Sequence, residues 1–152
     1  MIRATPFRIF GFALAITLLL AACSGSPPRS GSHHEEAARI AAAMEGKPYK
    51  YGGHAPAGFD CSGLVYYSYQ RVGMRVSRTT DTQRAQSARV PIDQLARGDL
   101  VFFNQEGKFS SHVGIYLGNN RFIHAPSTGK RLRVDNLKDA YWQKHFVDAR
   151  RF

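Results

Sequence analysis

The residues best suited to chemistry lie in the segment Gly58-Phe-Asp-Cys-Ser-Gly-Leu64. Asp60 is a residue type that often begins helices, and an apolar run follows Cys61, so we predict that a helix begins at Cys61. Unpaired backbone N–H groups and the positive end of the helix dipole favour a thiolate there, and the thiolate is the nucleophilic form of cysteine. The alternative is a small buried cysteine that only packs against the core.

A thiol nucleophile needs a base, and the base needs a group that orients it. His112 begins one predicted strand and His124 ends the next, with the turn sequence Gly118-Asn-Asn120 between them. A hairpin folded about this turn brings the two histidines close to directly opposite each other. We therefore predict His112 as the base and His124 as the residue that fixes its tautomer and supports the imidazolium. The alternative for each histidine is a surface or structural role.

One cysteine and two histidines are also a set of metal ligands. Zinc sites usually contain closely spaced ligands such as Cys-x-x-Cys, and the sequence has no such pair. We therefore expect neither a metal nor another cofactor. His33 and His34 lie at the edge of a predicted linker, and we expect them to be solvated rather than metal-bound.

The first 22 residues are typical of a secretory signal peptide. Arg3 and Arg8 are followed by a twelve-residue apolar run, which is too short to cross a bilayer as a lasting helix. The sequence Leu20-Ala-Ala-Cys23 resembles the lipobox of bacterial lipoproteins, in which the cysteine becomes the first mature residue and carries the acyl chains. The alternative is an ordinary signal peptide followed by a chance cysteine.

This resemblance implies an N-terminal lipid anchor at Cys23. The residue after it is Ser24, not aspartate, which by resemblance to Gram-negative lipoproteins indicates the outer membrane, with the protein facing the periplasm. Residues 23–32 are rich in Ser, Gly and Pro and are expected to form a flexible tether. If Cys23 is lipidated, Cys61 has no partner for an intrachain disulfide.

Residues 33–152 are predicted to form one α+β domain, with N-terminal helices packed on an antiparallel sheet. A capping-box spacing, Ser32 with Glu35, predicts a first helix that ends at Gly46. The other predicted helices are 61–71, 80–87 and 139–145, and the predicted strands are 99–103, 112–117, 121–124, 131–134 and 146–150. Residues 91–97 are expected to be a connector.

The formal net charge is +10, and it falls to +8 if the signal peptide with its two arginines is removed. This charge suits an anionic partner such as nucleic acid, phospholipid headgroups or cell-wall polymer. The basic residues are scattered, however, and the closest group is the short run Lys130-Arg-Leu-Arg133. Because no nucleic-acid-binding motif is present, we expect no nucleic-acid partner.

Five segments together resemble the NlpC/P60 cysteine peptidases, relatives of papain that cut the peptide stems of bacterial peptidoglycan. They are Tyr49-Lys-Tyr-Gly-Gly53, Phe59-Asp-Cys-Ser-Gly-Leu64, Gly98-Asp-Leu-Val-Phe-Phe103, His112-Val-Gly-Ile-Tyr-Leu-Gly118 and Phe122-Ile-His-Ala125. The segment from Tyr141-Trp142 to Arg151 looks closest to the small outer-membrane lipoprotein murein endopeptidases of this family. In one departure, Ser77 stands where the family often has proline, which puts the rigidity of this groove wall in doubt.

The resemblance implies a papain-like fold, with Cys61 as nucleophile, His112 as base and His124 as the third catalytic residue. It also implies a substrate or oxyanion site with contributions from Tyr49, Asp60, Ser62 and Arg78, while the amide of Cys61 is a further candidate donor to the oxyanion. The expected protein is a monomeric, cofactor-free peptidoglycan endopeptidase.

Two alternatives remain open at this point. One is a papain-like amidase or acyltransferase that acts on another amide or ester. The other is a catalytically silent lipoprotein that tethers the cell wall. The bond that would be cleaved also remains open, since D-glutamyl–diaminopimelate, D-alanyl–diaminopimelate and other cross-links all fit the sequence.

Overall fold

The computed structural model describes residues 30–105 and 107–152. The predicted signal peptide and the predicted lipidation site Cys23 lie outside the described residues. Within the part of the chain that is described, no helix has the length and apolar character needed to cross a membrane.

The predicted α+β class is confirmed. The helices are α1 Ser30–Ala42, α2 Cys61–Arg71, α3 Thr80–Ala85 and α4 Ala140–His145. The strands are β1 His54–Ala55, β2 Gly58–Phe59, β3 Ala88–Val90, β4 Leu100–Gln105, β5 Lys108–Gly118, β6 Arg121–His124, β7 Arg133–Asn136 and β8 Phe146–Arg151, and a short 3-10 helix spans Ile92–Gln94. Strands β1 and β2 form a small separate hairpin within the predicted loop before Cys61.

The main sheet has six antiparallel strands in the order β3-β8-β4-β5-β6-β7. The predicted meander is present from β4 to β7. The sequence did not indicate β3, and β7 lies two residues later than the predicted strand 131–134. The closing strand β8 lies between β4 and β3 and pairs with both through backbone hydrogen bonds.

Helices α1 and α2 pack on one face of the sheet. Three buried alanines of α1, at 37, 38 and 41, allow the two helices to approach closely, and Leu64, Val65 and Tyr69 of α2 join them in the core. The other face carries an aromatic cluster that includes Phe103, Phe122 and Trp142, the last of which comes from α4. The sheet therefore separates two apolar cores.

The expectation that His33 and His34 are solvated is wrong for His34. The helix begins at Ser30, before the predicted Ser32 cap, and His34 is buried with its Nδ1 3.2 Å from the hydroxyl of Tyr69. That hydroxyl donates to the carbonyl oxygen of Gly98, so it accepts from His34. Nδ1 of His33 lies 3.1 Å from the carbonyl oxygen of Val72. Both histidines thus fasten α1 to the domain.

Gly63 sets the distance between the start of α2 and the loop before it. A Cβ atom at this position would lie 1.9 Å from the carbonyl oxygen of Gly53 and 2.9 Å from Oδ1 of Asp60. A contact of this kind with backbone cannot be relieved by a side-chain rotation. The loop therefore packs directly against the first turn of the helix only because residue 63 has no side chain.

We expect Gly63→Ala to lower the free energy of unfolding by about 1–3 kcal/mol, the usual range for overpacking, although alanine is the better helix former. Urea denaturation followed by circular dichroism measures this change. Ser68→Ala is the matched control in the same helix, because the buried Ser68 hydroxyl has no hydrogen-bond partner among the described residues. An equal effect of both substitutions would contradict the close-approach argument.

Candidate active site

A groove of about 1010 Å³ crosses the surface at the start of α2. Its walls come from the loop around residues 49–54, the first turns of α2 and α3, strand β5 and residues 125–128 after β6. The predicted site residues that line it are Tyr49, Asp60, Cys61, Ser62, Arg78 and His112. His124 lies behind His112 and lines an adjoining cavity of about 260 Å³.

Cys61 is the first residue of α2, as predicted from the cap. Asp60 has extended backbone angles (φ −93°, ψ 177°), and its Oδ1 accepts a hydrogen bond of 2.6 Å from the N–H of Gly63. The half-buried thiol faces the groove, with its Sγ 3.8 Å from Oγ1 of Thr80 at the start of α3. No second cysteine is found near it in the described part of the chain.

Three of the predicted substrate-binding residues hold one another. The guanidinium of Arg78 donates to Oδ2 of Asp60 at 2.7 Å and to the hydroxyl of Ser62 at 2.9 Å. It also donates to the carbonyl oxygen of Gly53 at 3.1 Å, which ties the preceding loop to α2. All three side chains line the groove, so this network fixes the shape of the wall beside the thiol.

Hydrogen bonds hold the backbone at Ser77, the position where the resemblance led us to expect proline. The N–H of Ser77 donates to Oε1 of Gln86 at 3.1 Å, a bond that proline could not make. The carbonyl oxygen of the same residue accepts from the buried amide of Gln83, which also donates to the carbonyl of Ser62. Hydrogen bonds to the side-chain amides of Gln83 and Gln86 therefore hold the segment whose rigidity the sequence put in doubt.

The two histidines come together, but not as directly opposite residues. Strands β5 and β6 pair Ile115 with Ile123, so His124 lies across from Gly114, two residues from His112. The side chains meet diagonally, and Nε2 of His112 lies 2.8 Å from Nδ1 of His124. Both rings are buried against Trp142, which stacks at 19° to His112 and stands nearly perpendicular to His124.

Asp135 and Trp142 belong to the same site, and sequence reasoning missed both. Oδ2 of Asp135 lies 3.0 Å from Nε2 of His124 and accepts at 3.0 Å from the indole N–H of Trp142. The guanidinium of Arg133 donates to the same oxygen at 2.9 and 3.1 Å. In the sequence, the only sign of Asp135 was an acidic residue two positions after Arg133, in the last strand before α4. Its contact with His124 depends on the register between β6 and β7.

Metal binding has no support in the described residues. Among them no group of three His, Cys, Asp or Glu side chains is arranged to hold a metal ion. The two histidines instead use ring nitrogens to contact each other and Asp135.

The NlpC/P60 family model matches residues 46–151 of the chain. The chain belongs to this family. It is 47% identical over 111 residues to the murein DD-endopeptidase MepH of Escherichia coli K12, a match that covers 70% of the chain and 41% of MepH. It is 40% identical over 152 residues to the probable endopeptidase NlpC of the same organism, covering 93% of the chain and 98% of NlpC. The chain thus spans less than half the length of MepH.

Solved structures agree with the NlpC/P60 assignment. A crystal structure of an NLP/P60-family protein from Staphylococcus aureus Mu50, described as similar to lipoprotein, aligns with a TM-score of 0.70 and 34% identity. The alignment covers 79% of this chain and 41% of that one. The predicted family and fold are therefore confirmed.

The resting NlpC/P60 site in this chain favours neutral groups. Burial raises the pKa of the Cys61 thiol above 9.0, although hydrogen bonds with the Thr80 hydroxyl and the Val113 backbone act in the opposite direction. Burial, reinforced by the neighbouring His124, holds the pKa of His112 well below 6.5. The helix start predicted a thiolate, whereas desolvation of the thiol acts in the opposite direction.

We expect alkylation of Cys61 by iodoacetamide to accelerate with pH and to show its inflection above the usual pKa of a cysteine thiol. The reason is that iodoacetamide reacts with the thiolate, whose fraction increases with pH and reaches one half only at the raised pKa of the thiol. Peptide mass spectrometry at Cys61 across about pH 6 to about pH 10 measures this dependence. His112→Ala should change the rate little near neutrality. A high, flat rate from about pH 6 that collapses in His112→Ala would instead indicate a resting thiolate–imidazolium pair.

Proposed function

We propose that this protein is a cysteine peptidase that hydrolyses an amide bond in the peptide stems or cross-links of peptidoglycan. One observation carries the proposal: a thiol at a helix N-terminus shares a groove with His112, which is hydrogen-bonded to His124. The named function of MepH as a murein DD-endopeptidase supports the choice of substrate. In this proposal Cys61 is the nucleophile, His112 is the base and His124 is the residue that orients His112.

In the first half of the reaction, His112 removes the thiol proton as Sγ attacks the carbonyl carbon. The negative oxygen that forms lies near the start of α2, where the Cys61 N–H is available at the first helical position, and Tyr49 lines the same groove. His112 then gives its proton to the leaving nitrogen. The C–N bond breaks, the amine product departs and a thioester remains on Cys61.

In the second half, a water molecule replaces the departed amine. His112 takes one proton from the water as its oxygen attacks the thioester carbon. Collapse of the second tetrahedral intermediate breaks the C–S bond and returns the proton to sulfur. The products are a carboxylic acid and the free thiol, so the cycle needs no cofactor.

The path of the proton orients the substrate in the groove. Because His112 must reach the leaving nitrogen, the amine half of the substrate lies on the histidine side of the thiol. The adjoining cavity on that side is lined by Lys130 and Arg133, with the aromatic rings of Tyr141 and Trp142. Peptidoglycan stems carry free carboxylates, and this end of the groove is suited to receive one.

The proposal places the protein in the cell envelope, where peptidoglycan lies. The lipobox sequence ending in Cys23 supports a lipid anchor, and Ser24 supports an outer-membrane lipoprotein that faces the periplasm. Tethering would hold a monomeric catalytic domain near its polymeric substrate. The anchor and the groove can be tested separately.

Cys61→Ser should reduce the release of soluble muropeptides from purified sacculi by at least about 10³-fold, because the nucleophile is lost. The free energy of unfolding should change little, since one atom is replaced at a half-buried position. Mass spectrometry of wild-type products identifies the bond, and a DD cross-link is the first to examine because MepH is named for that activity.

Two results separate the alternatives. If Cys61→Ser digests sacculi at the wild-type rate, the nucleophile assignment is wrong. If wild-type protein binds sacculi in a pull-down but releases nothing, the protein is a silent cell-wall binder. Cleavage of a different amide or ester with sacculi untouched would indicate an amidase or acyltransferase.

Cys23→Ala should abolish lipid attachment and signal removal at this site, because the sulfur that carries the acyl chain is gone. Labelling with a radioactive fatty acid and intact mass measure the two events, and membrane fractionation measures the anchor. Ser24→Ala is the matched neighbouring control and should retain the lipid. Unchanged mass and membrane association in Cys23→Ala would rule out the lipobox interpretation.

A further inference from the structure

A continuous chain of hydrogen bonds runs from His112 through His124 to Asp135. The distances are 2.8 Å between His112 Nε2 and His124 Nδ1, and 3.0 Å between His124 Nε2 and Asp135 Oδ2. Both histidines are buried, with relative exposures of 2% and 0%. Because these imidazoles are buried away from water, His112, His124 and Asp135 themselves decide which atom donates in each of the two hydrogen bonds.

Asp135, at the end of this series of hydrogen bonds, can only accept hydrogen bonds. Burial alone would raise the pKa of Asp135, but hydrogen bonds from His124 and Arg133 together lower it to about 2. An ionised carboxylate has no proton to give. The indole N–H of Trp142 also donates to the same oxygen. Three donors therefore converge on Oδ2 and hold it in place.

Because Asp135 can only accept, the donor and acceptor of the other hydrogen bond are also fixed. His124 must donate from Nε2 to Asp135, and burial lowers the pKa of His124 despite the raising effect of that carboxylate. A neutral imidazole carries one proton, so Nδ1 of His124 is bare and accepts from His112 Nε2. The neutral His112 ring in turn has its lone pair on Nδ1.

We propose that Asp135 is a positioning residue that fixes both histidines in the Nε2–H tautomer and so presents Nδ1 of His112 as the base. The residue acts through His124 and does not touch substrate. The catalytic consequence depends on the proposed function, whereas the tautomers themselves do not.

The same chain stabilises the charge that appears during reaction. When Nδ1 of His112 accepts the thiol proton, the ring becomes an imidazolium and its Nε2–H bond to His124 strengthens. No second proton transfer is needed. The Asp135 anion, one ring further away, supports this cation by Coulombic attraction in a buried setting where screening is weak.

Trp142 and Arg133 adapt the site to this role. The indole plane lies 19° from the His112 ring and 82° from the His124 ring, with centroids 6.0 and 4.9 Å away, so it shields both rings from water. Arg133 keeps the carboxylate ionised, but its own charge also lowers the pKa of both histidines. The ion pair thus holds Asp135 ionised without driving the histidines into the charged form.

Long-range ¹H–¹⁵N NMR of the full chain labelled with ¹⁵N-histidine distinguishes a protonated from a bare ring nitrogen. At about pH 7, above the lowered pKa of both histidines, the wild type should show both His112 and His124 as Nε2–H tautomers with bare Nδ1 atoms. Single His→Gln variants assign the signals. A wild-type His124 that carries its proton on Nδ1 overturns the proposal, whatever the activity of the protein.

Two substitutions test the carboxylate. In Asp135→Asn the amide oxygen can still accept from the three donors, so the tautomers should persist while muropeptide release falls about 10-fold through loss of charge. In Asp135→Ala the acceptor is gone, the bare-Nδ1 signals should be lost or averaged, and release should fall by about 10²-fold or more. Because asparagine also preserves the shape of aspartate, the tautomer signals are the readout that separates the positioning role from loss of packing, which would lower release without moving the ring protons.

Asp148→Asn is the matched control, because Asp148 is also a buried carboxylate and accepts from Arg84 and Arg150. It should lower thermal stability and leave the histidine tautomers unchanged. If folded Asp135→Ala keeps the wild-type tautomers, or if Asp148→Asn shifts them equally, the proposal is wrong. If the wild-type protein releases no muropeptides, but Asp135→Ala still changes the tautomers of His112 and His124, the proposed function is wrong and the positioning role of Asp135 is supported.

Discussion

The burial of two imidazole rings is the constraint on which the site depends. A polar ring removed from water must find hydrogen-bond partners in the protein, or folding loses free energy on the order of 1–3 kcal/mol for each unsatisfied group. His112 and His124 meet this requirement by bonding to each other and to Asp135. Strand β7 and helix α4 are needed because they carry Asp135 and Trp142, which complete and cover the pair.

The thiol side of the groove is built by a different device. Asp60 caps α2 through the N–H of Gly63 and pairs with Arg78, which also holds Ser62 and the Gly53 carbonyl. Because Gly63 has no side chain, the loop that contains Gly53 can lie against the first turn of α2. The cap, the ion pair and the close backbone approach fix the position of Cys61 from three directions, so the thiol does not depend on the histidines for its place.

Burial gives this site its order and also limits the reactivity of the free protein. The same desolvation that orders the histidines lowers the pKa of His112, and desolvation raises the pKa of the Cys61 thiol. Desolvation in the free groove therefore favours the neutral forms of both groups. In the proposed reaction, charge separation is supported only when an oxyanion forms near the start of α2 and the imidazolium is stabilised by the chain that ends at Asp135. This arrangement places stabilisation in the transition state rather than in the resting state.

The sequence by itself determined the features that depend on near neighbours. The helix start at Cys61 follows from Asp60 and Gly63, three residues apart, and the hairpin turn follows from Asn119 and Asn120, whose φ angles of 53° and 59° asparagine tolerates. The motifs around Cys61 and His112 were sufficient to identify the family. Such local interactions are written in a few consecutive residues, so they can be read without the fold.

The tertiary structure decided how these pieces meet. Gly118 pairs with Arg121 but Tyr116 pairs with Phe122, so a bulge lies between them in β5. Without that one-residue shift, His124 would point to the opposite face of the sheet from His112, because side chains alternate along a strand. The burial of His34, the insertion of β8 between β3 and β4, and the placement of Asp135 beside His124 likewise depend on contacts between distant residues. Spacing along the chain does not encode such contacts, since they arise only when the whole sheet has formed.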